Sequence, residues 1–358
     1  MSLKTCAKPI KSHPVGRSCD FDASSCQARR GQPDMFTAFA RFADGTAEQI
    51  ASLDVLGPAW AQDGVTVWVD LEAPTPEEIE QLRRISALDG AALDACGRGD
   101  PRPRIEEFEH YLFLVMYGAF APREGTEFQP RRVAAFCGSR FLVTIHHEPL
   151  RTIAAMRERC SKIGHQILAR GPDFVLYDII DMMVDRYVEV TEHYERLVEH
   201  LEEESLDDDV DAGIVQMVSR LHRELLELRR AATSKRDLIA PVAKGEFDHI
   251  SENLGQRFTR LRDHLVNVID TIGTLRDRLD GVRDNYHSAL ATRTSEVMRV
   301  LTGYAAILLP ISAIAGVYGM NLRSWPGTEH PLGFWIVLAF MAAVGATMFL
   351  YFRWKRWL

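Results

Sequence analysis

The residues with the clearest chemical potential stand near the end of the chain, in the tripeptide Gly319-Met320-Asn321. The tripeptide offers only uncharged oxygens, from the asparagine carboxamide and from backbone carbonyls. Such oxygens can coordinate a metal ion and still let it leave, as conduction requires. Asparagine can also cap the C-terminal end of a helix. The sequence therefore predicts a metal-binding role or a helix-capping role for Asn321, and the two roles can coexist.

Two apolar stretches must position this tripeptide. Residues 300–318 and 332–352 contain no charged residue, and each is long enough to cross a hydrocarbon core about 30 Å thick. We therefore predict two membrane-spanning helices within a transmembrane domain over residues 300–358. Arg353, Lys355 and Arg356 follow the second stretch, and basic residues favour the cytoplasmic side. The large N-terminal part shows no export signal. We expect a multi-pass protein of the cytoplasmic (inner) membrane with both termini in the cytoplasm and the tripeptide outside.

The first span carries a stripe of residues at alternating steps of three and four. This spacing is typical of a helix that faces its symmetry mates around an axis. Two spans per chain cannot enclose an aqueous path, so a pore would need several copies. Small residues at this spacing also serve ordinary packing between membrane helices. The stripe that we predict to line a pore consists of Ser295, Met298, Thr302, Ala305, Leu309, Ser312 and Gly316, and it continues to Gly319.

The rest of the 358-residue chain divides into four predicted regions. Residues 1–34 are expected to be flexible, and residues 35–170 alternate short apolar runs with turn signals, which predicts a small α/β domain. Residues 171–247 predict a helical hairpin, with helices at about 173–204 and 212–234. Residues 248–299 predict a stalk helix that continues into the first span, because no proline interrupts the chain from 248 until Pro310. The predicted fold is thus an α/β N-terminal cytoplasmic domain, a long helical stalk and two C-terminal transmembrane helices.

Composition excludes several classes of function. The net charge of −8 argues against nucleic acid as a partner. The chain has no phosphate-binding P-loop glycine-lysine motif, so ATP is not expected to drive it. No nucleophile lies in register with a base, so an enzyme is not expected, and neither is a cofactor. The expected partners are the lipid bilayer and further copies of the chain.

The C-terminal residues resemble the CorA family of divalent-cation transporters. The resemblance is close over about the last 75 residues, which include the Gly319-Met320-Asn321 signature, Pro310 in the first span and the terminal basic-Trp-Leu sequence. It is looser over the preceding helices and over the run from Arg102 to Val115, "RPRIEEFEHYLFLV". It implies a CorA-like homopentamer with a cytoplasmic funnel and a pore lined by the first span.

The family resemblance also implies a chemistry for the tripeptide. Mg²⁺ gives up its water reluctantly, so neutral oxygens are expected to hold it through its hydration shell. A ring of Asn321 carboxamides and Gly319 carbonyls would then form the outer selectivity filter. The transported ion is expected to be Mg²⁺, Co²⁺, Ni²⁺ or Zn²⁺. Gly319-Met320-Asn321 is similar to the magnesium branch, whereas Asn321-Leu322 followed by Pro326-Gly327 is similar to the zinc-transporting ZntB-type branch.

The chain departs from the family at the acidic residues by which magnesium-gated members sense the ion. Alignment places those positions at Ala95 and Arg260, neither of which can ligate Mg²⁺ through a side-chain oxygen. The adjacent Asp94, Asp263 and His264 are possible cytoplasmic metal ligands. Four histidines could bind softer metals in the funnel but also fit surface or packing roles, and these are His146, His147, His264 and His287.

Two functions follow from the sequence. The first is a channel or transporter that imports divalent metal cations across the cytoplasmic membrane. The alternative is a membrane-anchored oligomeric protein with a structural or metal-sensing role and no conduction.

Overall fold

The computed structural model describes residues 35–98, 102–120, 129–205, 213–320 and 332–355. Within these ranges the chain forms a mixed sheet, a set of surrounding helices and two apolar C-terminal helices. The predicted flexible segment 1–34 and the last three residues lie outside the described ranges. The strands are β1 (Met35–Arg41), β2 (Ala47–Ile50), β3 (Thr66–Glu72), β4 (Arg104–Glu107), β5 (Tyr111–Phe120), β6 (Gln129–Gly138) and β7 (Phe141–His146). The helices are α1 (Leu53–Ala61), α2 (Pro76–Ile85), α3 (Gly90–Gly97), α4 (Arg151–Leu168), α5 (Pro172–Ser205), α6 (Gly213–Ala243), α7 (Glu252–Tyr318) and α8 (Gly333–Trp354).

The seven strands pair in the order β2-β1-β3-β7-β6-β5-β4. All neighbours are antiparallel except β3 and β7, which run parallel with Val67 opposite Phe141. Side chains of successive residues point to opposite faces of a sheet, and both faces are buried here. One face packs under α1, α2 and α3, and the other packs under the long helices. The predicted α/β domain is therefore confirmed as a sheet with helices on both sides.

Local sequence signals explain where several elements begin. Thr75 caps α2 because its hydroxyl accepts from the Glu78 backbone N–H at 3.2 Å, while the Glu78 carboxylate accepts from the Thr75 N–H at 2.8 Å. This reciprocal pair is a capping box, and Pro76 at the first helical position suits it. Helix α2 therefore begins at Pro76.

The helical arm, which we define as α5 and α6, packs along the first part of α7. Helix α5 follows the predicted range closely. Helix α6 runs nine residues beyond the predicted end at Ser234, to Ala243. Its last turns stay helical because Ile239 and Val242 are buried in the core, and such packing overrides local preference. An ion pair between Arg278 of α7 and Glu202 of α5, at 2.6 and 2.8 Å, fixes the far end of the arm.

Helix α7 is continuous over 67 residues, which corresponds to a rod of roughly 100 Å. The helix passes without a break through residue 299, the predicted boundary between the stalk and the membrane domain. That boundary therefore remains a proposal. The first half of α7 is buried against α5 and α6 as far as Val282. Between Val282 and Gly303 no residue of α7 is buried, and Val297 and Leu301 are more than half exposed. Helices in proteins draw most of their stability from packing, so we expect contacts beyond those of one chain along this segment.

Candidate functional site

The predicted stripe lies on a single exposed face of α7. All seven of its residues, and Gly319 beyond them, are exposed. The two bulky members are the most prominent, with Met298 exposed by 59% and Leu309 by 69%. The stripe is therefore free to meet other copies of the chain or an aqueous path.

The opposite face of α7 packs against α8. Gly303 is buried there, and Ile307, Pro310 and Ile314 are half-buried. The two helices approach closely at Gly345 of α8, where an added Cβ would lie 3.2 Å from the Ile311 Cδ1 atom. Small residues allow such close approach between membrane helices. Helix α8 thus covers the back of α7 and leaves the stripe uncovered.

Gly319 ends α7 at the top of the stripe. Its backbone N–H donates to the Ala315 carbonyl at 2.9 Å, and an added Cβ would meet that carbonyl oxygen at 3.2 Å. Glycine therefore suits this position because the Ala315 carbonyl lies close to it. The backbone angle does not require glycine, since a φ of −77° is open to any residue. Asn321 lies outside the described residues, so its metal-binding and capping roles both remain predictions. Met320 is exposed by 64%.

The possible cytoplasmic ligands do not come together in one chain. Asp94 on α3 pairs with Arg83, and Asp263 on α7 accepts from the neighbouring Arg262 at 2.9 Å. His264 lies on the side of α7 that faces Asp181 of α5, whose pKa is raised by burial and by Asp185 and Asp178. Among the described residues no cluster of three or more His, Cys, Asp or Glu side chains could hold a metal ion.

His146 belongs to a buried polar cluster that the sequence did not predict. Its Nε2 atom lies 3.4 Å from Asp70 Oδ1, and its Nδ1 atom lies 2.7 Å from the Glu148 carbonyl. Thr144 donates to Asp70 at 2.5 Å, and Arg157 of α4 approaches Asp70 at 3.4 Å. Burial alone would lower the pKa of His146, but the hydrogen bonding and charge of Asp70 outweigh it and raise the pKa. His146 is thus a paired core residue that joins β7 to β3.

His147 points to the other side of the sheet. Its Nε2 atom lies 2.7 Å from the Cys96 carbonyl of α3. Both neighbouring histidines therefore have structural partners. His287 is exposed at the end of the packed part of α7.

The fold and the stripe together define a class of protein. A seven-stranded α/β domain leads through long helices into two helices that are long and apolar enough to cross a membrane. The first of these is followed by Gly319 and Met320, the two residues of the tripeptide that lie within the described ranges, and its exposed stripe faces away from the second.

Comparison with known proteins gives the family. The model of the "CorA-like Mg2+ transporter protein" family matches residues 63–356. The cobalt/magnesium transport protein CorA of Thermotoga maritima is 31% identical over 72% of this chain and 73% of its own. The CorA of Methanocaldococcus jannaschii is 25% identical over 83% of this chain and 93% of its own. The solved structure of the M. jannaschii CorA magnesium transporter covers 90% of this chain and 98% of its own with a TM-score of 0.79.

The chain belongs to the CorA family of divalent-cation transporters. Its members are membrane transporters and not enzymes. The resemblance stated from the C-terminal residues is therefore confirmed.

Proposed function

We propose that five copies of this chain form a pore that imports divalent metal cations through the cytoplasmic membrane. The observation that carries the proposal is the exposed stripe of α7, which lies on the face opposite α8. Around an axis, Met298 and Leu309 would form the narrow apolar rings, and Thr302 and Ser312 would supply hydroxyl groups between them. The unpacked segment between Val282 and Gly303 supports assembly, because other copies can cover exposed apolar side chains such as that of Met298.

The outer filter in this proposal consists of the Asn321 carboxamides and the Gly319 carbonyls. Five neutral oxygens of each kind would face a hydrated ion at the mouth of the pore. Neutral oxygens suit an ion that keeps its water shell and must leave again. Asp94, Asp263 and His264 remain possible cytoplasmic ligands only across subunits, because one chain does not assemble them.

The ion that we propose is Mg²⁺ or Co²⁺, with Ni²⁺ and Zn²⁺ as further candidates. Two relatives are named as cobalt/magnesium transport proteins. A filter of carbonyl and carboxamide oxygens favours hard, hydrated cations, whereas softer ions prefer thiolate or imidazole ligands. Both termini are proposed to lie in the cytoplasm, with Arg353 and Lys355 at the inner surface.

Purified protein in liposomes tests this function by uptake of Mg²⁺ or Co²⁺ into vesicles that contain a metal-sensitive dye. Wild-type vesicles should take up metal faster than empty vesicles. Asn321→Ala should reduce the rate several-fold, because it removes the carboxamide ring but leaves the carbonyls. Asn321→Gln keeps the carboxamide and should lie between the two.

Uptake by the wild-type protein equal to that of empty vesicles would favour the alternative of a non-conducting structural or metal-sensing protein. Equal uptake by the wild-type and Asn321→Ala proteins would exclude the proposed filter. Native mass determination of the assembly in detergent tests the number of copies independently of transport.

A further inference from the structure

Lys235 of α6 is a buried amine that forms no ion pair with any residue of the described ranges. Its side chain is 1% exposed, and its Nζ atom is buried without a hydrogen-bond partner among the described residues. The amine lies 5.1 Å from the centre of the Tyr187 ring on α5. Lysine is almost never fully buried unless it is paired. A charged amine at this position therefore lowers the stability of the packed helix.

Several elements surround Lys235, and within the part of the chain that the structure describes no carboxylate pairs with its amine. The Tyr187 hydroxyl is committed to the Tyr117 carbonyl of β5 at 3.1 Å. One helical turn away on α6, the residues Ala231 and Ile239 belong to the apolar core. Burial is the cause that lowers the pKa of Lys235 from 10.5 to about 7.

The charged groups on the neighbouring elements are engaged elsewhere. Glu224 of α6 is bound by Tyr194 at 2.7 Å and by Arg220 at 2.8 Å. Arg236 pairs with Asp237 on the outer side of α6. On α5, Asp178 pairs with Arg170 at 3.4 Å, and Asp185 is exposed.

We propose that Lys235 makes the packing of α6 against α5 and β5 sensitive to protons. By opening we mean local unfolding of α6 that exposes Lys235 to water. When the amine is charged, this part of α6 opens more readily, because opening returns the charge to water. This proton-sensitive contact lies in the helical arm, and the proposal does not depend on whether the pore conducts. Since α6 packs along α7, it links proton concentration to the support of the helix that bears the stripe.

The expected pH dependence has a definite sign. In the open form the lysine keeps its ordinary pKa of 10.5, and in the closed form the pKa is about 7. Between these values opening takes up a proton, so the equilibrium constant for opening should rise about tenfold for each unit by which the pH falls. Below about pH 7 both forms are protonated and the constant should become flat.

Hydrogen exchange of the full-length protein in lipid nanodiscs tests the proposal. The amides around Lys235 in α6 are followed from pH 6 to pH 8.5, and each rate is divided by the intrinsic rate at that pH. For the wild-type protein we expect the opening constant to be flat at the acid end and to fall about tenfold per unit at the alkaline end. Lys235→Met should remove this dependence and should lower the constant at pH 7 by more than about tenfold.

Lys244→Met is the matched control. Lys244 follows α6 directly, and its side chain is 66% exposed, so this variant should keep the wild-type dependence. His146 cannot imitate the effect, because its raised pKa makes the fold less stable as the pH rises. A wild-type opening constant that does not change with pH would overturn the proposal, and so would an unchanged slope in Lys235→Met. The wild-type series decides the matter even if the variant does not fold.

Discussion

Replacing Ala305 by phenylalanine is expected to reduce metal uptake to the level of empty vesicles. Ala305 lies at the middle of the stripe on α7 and is exposed in the single chain. If the stripe surrounds an axis, every copy would place a phenyl ring in the pore between the rings of Met298 and Leu309. A hydrated divalent cation cannot pass such an apolar plug, because it would lose its water without receiving oxygen ligands. The measurement is dye-reported uptake of Mg²⁺ or Co²⁺ into liposomes.

Two alanines of the same span provide matched controls. Ala313 and Ala315 are also exposed, but the helical period places them on either side of the stripe rather than within it. Ala313→Phe and Ala315→Phe should therefore keep at least about half of the wild-type rate, since lipid or subunit contacts can accommodate a ring more readily than a pore. Loss of uptake in all three variants would indicate a general packing defect, and unaffected uptake in Ala305→Phe would exclude the stripe as the pore lining.

Replacing Asp70 by alanine is expected to destabilise the α/β domain by about 3–5 kcal/mol, because removal of one partner leaves buried charges uncompensated. Asp70 is 1% exposed and contacts Thr144, His146 and Arg157. The loss should appear in thermal unfolding of the detergent-solubilised protein as a fall of roughly 10 °C or more in the midpoint of the α/β domain.

The exposed ion pair of Asp63 with Arg140 is the control for Asp70. Its N–O distance is 2.9 Å, but the Asp63 side chain is fully exposed, so Asp63→Ala should leave the midpoint almost unchanged. A similar midpoint for Asp70→Ala and the wild-type protein would show that the buried cluster does not hold β3, β7 and α4 together.

The same cluster gives a pH dependence of opposite sign to that of Lys235. The pKa of His146 is raised in the folded state, so its stabilising contribution is complete below its ordinary value of 6.5 and is lost as the pH rises through the raised value. Asp70→Ala removes the group that raises the pKa. The difference in unfolding midpoint between the wild-type protein and Asp70→Ala should therefore shrink as the pH rises through that range.

Local patterns in the sequence were sufficient for the elements that carry the proposed pore. The two spans and the long helix that leads into the first of them depend on composition and on the spacing of apolar residues close along the chain. The stripe could also be predicted, because its spacing is a property of a single helix. Its position opposite α8 could not, because it depends on the packing of two helices.

The buried polar groups show where the sequence is insufficient. Asp70 and Arg157 approach each other at 3.4 Å although they are far apart in the chain. No local sequence pattern near either residue predicts this contact. The sequence treated His146 as a possible metal ligand, whereas the fold buries it beside Asp70. From the sequence, Lys235 is one of many charged residues on a helix and would be expected at the surface. Only the packing of α5, β5 and α6 shows that its amine is enclosed.

A ring of cysteines in the stripe tests the central proposal most directly. In Ser312→Cys, a pore around an axis would bring thiols from all copies together, and soft thiolate ligands bind Cd²⁺ strongly. We predict that micromolar Cd²⁺ blocks Mg²⁺ uptake through Ser312→Cys, that a chelator reverses the block, and that the wild-type protein and Ala315→Cys stay unaffected. Mg²⁺ uptake through Ser312→Cys that is as insensitive to Cd²⁺ as that of Ala315→Cys would contradict a pore lined by this face of α7.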